Sequence, residues 1–143
     1  MPGVAETGAA AGPPQVTTKG LGDAAEAAAR NYLVRQGLTP VDANYRTPGR
    51  GGGEIDLIMR ARDGTLVFVE VRRRGSDSHG GAGASISPVK QRRIVFAARH
   101  YLTRFGSPPP CRFDVVLVQG NGTAGLGGMK IEWLQAAFDA SDA

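Results

Sequence analysis

The stretch from Gly53 to Arg74, GEIDLIMRARDGTLVFVEVRRR, predicts two β-strands joined by a tight turn at Asp63-Gly64. The length of the loop decides which side chains share a face. A two-residue loop would mix carboxylates and aliphatic side chains on both faces of the hairpin. A three-residue loop, with Gly64 in the left-handed conformation, separates them, so the sequence favours the three-residue loop.

This register sorts the hairpin by polarity. One face carries apolar pairs only: Ile55 with Val71, Leu57 with Val69, and Met59 with Val67. The other face pairs Asp56 with Glu70, Glu54 with Arg72, and Ile58 with Phe68. The two carboxylates are therefore expected on one face, directly opposite each other.

Asp56 and Glu70 are the candidate metal ligands of the hairpin. Directly opposed side chains of antiparallel strands have Cβ atoms roughly 4.5–5.5 Å apart. Two carboxylates that close repel each other unless one keeps a proton or a cation lies between them. Mg²⁺ prefers oxygen ligands and is commonly held by one or two carboxylates, with Mn²⁺ as an alternative ion. The pair predicts such a site; solvated acids at a sheet edge are the other interpretation.

Composition bounds the class of protein. The 143 residues predict one domain, and the net charge of +4 with a pI near 9.7 favours a polyanionic partner such as DNA. The single cysteine, Cys111, excludes an intrachain disulfide and fits a reducing, cytoplasmic setting. No apolar run approaches the ~20 residues that span a bilayer, so no membrane partner is expected.

The elements are predicted in the order α-β-β-β-α-β-β, within one domain of residues 19–143 behind a disordered tail of residues 1–18. A mobile loop is expected from Gly75 to Ser85, and its His79 has no second ligand nearby in sequence. Outside the hairpin, the predicted elements are a helix from Gly20 to Gln36, an edge strand from Leu38 to Arg46, a helix from Ser87-Pro88 to Phe105, a strand from Cys111 to Gln119, its partner from Met129 to Trp133, and a helical turn from Leu134 to Phe138.

The second predicted helix begins a strongly basic segment. From Lys90 to Arg112 there is no acid and there are six Lys or Arg residues. Such a run is either a solvated helix face or a surface for phosphate contacts, and the lack of local acid partners favours phosphate. Lys90 lies in line with the apolar stripe of this helix, and Glu26 lies at the edge of the stripe of the first helix.

Five motifs together resemble a known family. They are GDAAEAAARNYL at 22–33, GEIDLI at 53–58, LVFVEVRRR at 66–74, the segment from Lys90 to Arg93, and CRFDVVLV at 111–118. The set, which covers roughly residues 19–138, is similar to the bacterial YraN family of predicted endonucleases. That family is related to archaeal Holliday-junction resolvases. The resemblance implies a restriction-endonuclease-like mixed β-sheet with flanking helices, and a homodimer would fit this kinship.

The resemblance also implies a function and a site. The function is metal-dependent hydrolysis of DNA phosphodiester bonds, including those of branched or junction DNA. Asp56 and Glu70 match metal ligands, the Val71 carbonyl a third ligand, and Glu26 the helix glutamate that completes the acidic site. Basic residues expected to contact nucleic acid are Arg73, Arg74, Arg92 and Arg93.

One position departs from the family pattern. The superfamily signature places a lysine two residues after the second acid, where this chain has Arg72. Arginine is essentially never deprotonated, so it can stabilise phosphate charge but is a poor general base. Either Lys90 supplies the missing lysine while Arg72 binds phosphate or Glu54, or the chain is a nucleic-acid-binding module that has lost turnover. A third interpretation is an interaction protein whose acidic pair is incidental.

Overall fold

The computed structural model describes residues 18–49, 51–74, 86–120 and 129–140. In these ranges the chain forms helix α1 (Thr18–Arg35), strands β1 (Thr39–Arg46), β2 (Glu54–Arg60) and β3 (Leu66–Arg74), helix α2 (Pro88–Leu102), and strands β4 (Cys111–Gln119) and β5 (Lys130–Phe138). The predicted mixed α/β class is confirmed. The predicted tail and the loop with His79 lie outside the described residues, except that Thr18 already belongs to α1. No helix in the described ranges is long and apolar enough to cross a membrane.

The five strands form one sheet in the order β1-β2-β3-β4-β5. All neighbours are antiparallel except β3 and β4, which are parallel and are connected through α2. β1 lies at an edge, as Pro40 predicted, and its pairing with β2 shifts between Pro40 and Asp42.

Each face of the sheet is covered by one helix. On one face, Ala25, Ala29 and Leu33 of α1 pack with alternate side chains of the central strands, such as Val69 and Val116. On the other face, the apolar stripe of α2 packs on the intervening side chains; this core includes Ile58, Phe68, Val115, Leu117, Ile94 and Tyr101. The central strands are thus buried on both faces, which explains why β4 is almost continuously apolar.

The predicted register of the central hairpin is confirmed where β2 and β3 pair. Leu57 is opposite Val69, Ile58 opposite Phe68, and Met59 opposite Val67. Ala61 donates its N–H to the Thr65 carbonyl at 2.9 Å, which leaves Arg62, Asp63 and Gly64 as the loop. Gly64 has φ +93°, the left-handed conformation that the three-residue loop requires.

Two predicted boundaries are wrong. The second helix ends at Leu102 rather than near Phe105, because the hydroxyl of Thr103 donates to the His100 carbonyl at 2.7 Å and competes with helical hydrogen bonding. The segment from Leu134 to Phe138 is not a helical turn but continues β5. Pairing with the buried strand β4 outweighs its local helix propensity.

Asp114 fixes the irregular end of β5. Its carboxylate is fully buried and accepts hydrogen bonds from Arg112 Nε at 3.1 Å, Trp133 Nε1 at 2.8 Å and the Ala136 N–H at 2.9 Å. Ala136 has φ +50°, and the β4–β5 register shifts between Phe113 and Val115. The carboxylate therefore stabilises a bulge that carries the strand on to Phe138.

Candidate functional site

Strands β2 and β3 separate where the acidic residues lie. Their pairing runs from Arg60 and Leu66 to Leu57 and Val69, whereas β3 stays paired with β4 as far as Arg74. The Val71 N–H, which the next ladder position would direct to Ile55, donates instead to Asp56 Oδ2 at 2.8 Å. A side-chain carboxylate thus replaces a backbone acceptor and opens a fork between the two strands.

The fork corrects one predicted pair. Ile55 was expected opposite Val71 on the same face as Leu57 and Met59, but it packs in the core under α2, with Ile58. Leu57 and Met59 pack under α1. The regular alternation of β2 side chains between the two faces of the sheet is therefore interrupted at Asp56, because the Asp56 carboxylate points at the β3 backbone.

The Asp56 and Glu70 side chains meet at the fork. Glu70 is only 6% exposed, and its carboxyl group is hydrogen-bonded to that of Asp56. This arrangement is the one in which two neighbouring carboxyl groups avoid repulsion by keeping a proton between them.

Burial and the neighbouring Asp56 carboxylate raise the pKa of Glu70 to about 7. Burial also raises the pKa of Asp56 above its usual value, against the lowering effect of the Val71 N–H and the Glu70 hydrogen bond. Below a pH of about 7 Glu70 accordingly keeps its proton, at a place where a bound cation could instead supply positive charge.

Lys90 reaches the pair from α2. Ser87 caps this helix by accepting the Lys90 N–H at 3.1 Å, and Pro88 occupies the first turn, as predicted. Lys90 Nζ lies 3.1 Å from Glu70 Oε2. The helix start therefore aims the lysine at the fork, and its charge lowers the pKa of both carboxyl groups against the effect of burial.

Glu26 lies on the α1 side of the same region. Burial, and then the charge of Asp56, raise the pKa of Glu26, while a side-chain hydrogen bond with Asn44 lowers it. Asn44 has φ +54°, a left-handed conformation that asparagine tolerates better than most residues. The sequence did not point to Asn44, because its contact with Glu26 depends on how β1 lies against α1.

The arginines predicted to take part in the site lie around the fork, and no ion pair in the described residues joins them to Asp56 or Glu70. Arg72 is half-buried on β3, and among the described residues no ion pair joins it to Glu54. Glu54 pairs instead with Arg46 across β1 and β2, at 3.5 Å. Arg73 on β3 and both Arg92 and Arg93 on α2 are exposed, and Arg74 is half-buried at the end of β3.

The donor atoms at the fork suit a hard divalent cation. All the ligand atoms of the two carboxyl groups are oxygens, and the backbone carbonyl of Val71, the residue after Glu70, is a further oxygen ligand. Within residues 18–49, 51–74, 86–120 and 129–140, no group of three or more His, Cys, Asp or Glu side chains is close enough to hold a metal. A cation at the fork would therefore keep several water or phosphate ligands, which is usual for Mg²⁺.

Without metal, the protein should lose stability as pH rises from about 5 to 8. The folded state keeps the Glu70 proton up to a pKa of about 7, whereas the unfolded chain releases it near 4.5. The folded state thus binds more protons in this window, so the free energy of unfolding falls, by about 2 kcal/mol. Urea unfolding in EDTA at several pH values measures this loss.

Glu70→Gln should flatten that pH dependence, because the amide has the shape of the acid but does not ionise. Glu132→Gln, an exposed position on β5, is the matched control and should follow the wild type. Parallel curves for the wild type and Glu70→Gln would show that Glu70 does not keep its proton in the folded state.

The fold and the site together define a mixed α/β protein with a carboxyl pair, one member of it buried, at a fork between two sheet strands. A family model described as "Uncharacterised protein family UPF0102" matches residues 25–118, and the chain belongs to this family. This is the YraN-like family that the sequence motifs resemble.

Relatives of the same description match along most of their length. A UPF0102 protein of Polaromonas sp. (strain JS666 / ATCC BAA-500) is 70% identical over 135 residues, which are 94% of this chain and 91% of the relative. One from Polaromonas naphthalenivorans is 73% identical over 94% of this chain and 88% of its own. One from Cupriavidus taiwanensis is 57% identical over 85% of each chain.

Proposed function

We propose that this protein is a metal-dependent endonuclease that hydrolyses phosphodiester bonds of DNA, with branched or junction DNA among its substrates. The observation that carries the proposal is the carboxyl pair of half-buried Asp56 and buried Glu70 at a strand fork, with Lys90 in contact with Glu70. Two adjacent carboxyl groups with raised pKa values beside a lysine are typical of functional sites. The restriction-endonuclease-like kinship implied by the sequence motifs supports the same function.

Asp56, Glu70 and the Val71 carbonyl would hold Mg²⁺ or Mn²⁺, with Glu26 completing the acidic side of the site. The bound ion would lower the pKa of a coordinated water and neutralise phosphate charge. Glu70 would give up its shared proton as the ion binds, since both carboxyl groups are then stabilised as anions. Lys90 Nζ, 3.1 Å from Glu70 Oε2, would hold the phosphate near the carboxylates and offset their repulsion.

The direct test is incubation of the protein with four-way junction, flap and linear duplex DNA in Mg²⁺, in Mn²⁺ and in EDTA. Cleavage of at least one substrate with metal and none in EDTA supports the proposal. Tight DNA binding without cleavage under any condition favours the second function, a nucleic-acid-binding module without turnover. Arg72 in place of the superfamily lysine is the observation that favours this second function.

Lys90→Ala should lower the cleavage rate about tenfold or more, because no other lysine amine contacts the carboxyl pair among the described residues. Arg72→Lys should change the rate by only a few-fold. Single-turnover cleavage at saturating metal compares the two variants with the wild type. Full activity in Lys90→Ala together with a strong gain in Arg72→Lys would assign the lysine role to position 72.

DNA binding should weaken steeply with salt and depend little on sequence, because exposed arginines on α2 and β3 supply the contacts. Replacing Arg92 and Arg93 together with Ala should reduce the slope of log affinity against log salt by about 2, one for each phosphate that an arginine no longer neutralises. Fluorescence anisotropy in EDTA measures the slope. Arg35→Ala, on the opposite helix, is the control; an unchanged slope in the double variant would mean that this face of α2 is only solvated.

A further inference from the structure

A basic pocket opens beside the carboxyl pair, where β1 and β2 are connected. Its volume is about 340 Å³. Arg46 lines it from β1, Lys90 and Arg93 from α2, and Glu54 from β2; the glycine-rich loop forms the remaining wall. Three cations against one carboxylate favour an anionic occupant.

The glycine wall is fixed in place by its own packing. A Cβ atom on Gly52 would lie 1.6 Å from Thr47 Oγ1, and one on Gly53 would lie 2.0 Å from the Arg93 carbonyl oxygen. The buried Thr47 also accepts the Gly53 N–H at 3.0 Å. These close contacts hold Gly53 against α2 and Gly52 against Thr47, so this wall of the pocket is formed before any occupant arrives, which lowers the entropic cost of binding.

The two arginines of the pocket, Arg46 and Arg93, can bind a ligand at little cost in existing contacts. The Arg46–Glu54 ion pair spans 3.5 Å, and its side chains are 73% and 42% exposed, so it contributes little to stability. Arg93 forms no ion pair with any residue that the structure describes. An Arg–phosphate contact is stronger than such an exposed pair because its hydrogen bonds are charge-assisted and can be bidentate.

The geometry points to a binding site for a phosphate group of a nucleic-acid strand, next to the phosphate that the carboxyl pair acts on. The identity of the strand as the ligand rests on the proposed function, whereas the affinity for phosphate rests on the pocket alone. Lys90 contributes to both the pocket and the carboxyl site, because it lines the pocket and its Nζ lies 3.1 Å from Glu70 Oε2. The small volume suits one sugar–phosphate unit rather than a duplex.

Two sources could supply that phosphate: a monoester at the end of a strand, or a diester within it. Thymidine 5′-monophosphate and the dinucleotide thymidylyl-thymidine represent the two sources, and thymidine is the uncharged control. Each is titrated into ¹⁵N-labelled full-length protein in EDTA, with the amide resonances of Gly52 and Gly53 as the readout. Metal and cleavage play no part in this measurement, so its result is independent of the nuclease activity.

We expect one or both phosphate compounds to shift the loop amides saturably, and thymidine to leave them unchanged. Arg46→Gln and Arg93→Gln should each raise the dissociation constant about tenfold. Arg35→Gln, exposed on α1, should leave it unchanged. Stronger binding of the monoester assigns the pocket to strand ends, and equal binding of the diester assigns it to continuous strands.

Three results would overturn the inference: no shift at the loop, equal shifts with thymidine, or phosphate binding that neither arginine substitution weakens. Arg46 and Arg93 lie on different elements, so a folding defect in one variant leaves the other as the test. Phosphate binding without cleavage would retain the pocket and reject the nuclease, and cleavage without phosphate binding would do the reverse.

Discussion

Replacing Asp56 with Asn should abolish metal-dependent DNA cleavage, with a loss of at least about a hundredfold. The substitution removes one of the two anionic ligands at the fork. Its side-chain oxygen can still accept the Val71 N–H, which Asp56 Oδ2 now accepts at 2.8 Å. The fold should therefore survive, and the loss should appear in the rate rather than in the amount of folded protein.

Asp42→Asn is a matched control for this experiment. Asp42 also accepts a backbone N–H at 2.8 Å, from Ala43, but it is exposed on β1 and has no part in the fork. Single-turnover cleavage with Mg²⁺ or Mn²⁺, together with thermal unfolding, compares the two variants. An Asp56→Asn protein that cleaves at the wild-type rate would exclude Asp56 as a metal ligand.

Replacing Asp114 with Ala should lower the free energy of unfolding by about 3 kcal/mol or more. The carboxylate is fully buried and accepts three donors, two of them from β5. Alanine would leave the Trp133 indole N–H, the Ala136 N–H and the Arg112 guanidinium without their common acceptor, and the loss of each partly buried hydrogen bond costs free energy. Urea denaturation measures the loss.

Asp42→Ala is the control for this loss, because an exposed aspartate should change stability by less than about 0.5 kcal/mol. A change of similar size in Asp114→Ala would show that the bulge near Ala136 does not depend on the carboxylate.

The sequence predicts the central hairpin well because the information is local. Asp63-Gly64 marks the turn, and the requirement that carboxylates and aliphatic side chains occupy separate faces selects one register. The same reasoning places Asp56 and Glu70 together. Lys90 follows from a second local signal, since Ser87-Pro88 fixes where α2 begins and hence where its first turn points.

The sequence does not predict the fork itself. A prediction from alternating side chains assumes that every backbone N–H of the strand pair donates to a backbone carbonyl. Here the Val71 N–H donates to the Asp56 carboxylate instead. The prediction of a helical turn at the end of β5 is wrong for a related reason. Asp114 stabilises a bulge there through a hydrogen bond between residues that are 22 positions apart in sequence. In both cases a side-chain carboxylate that accepts a backbone N–H overrides the local pattern, and only the three-dimensional structure shows which donors reach it.

The connection between β3 and β4 bears on the order in which the site assembles during folding. Asp56 and Glu70 are brought together by a three-residue loop, and contacts between residues so close in sequence form early. Lys90 arrives only when α2 has packed across the sheet to set up the parallel pairing with β4. The nascent chain is thus expected to bring the two acids together while both are still solvated and ionised, and Glu70 takes up its proton only when packing of α2 removes it from water.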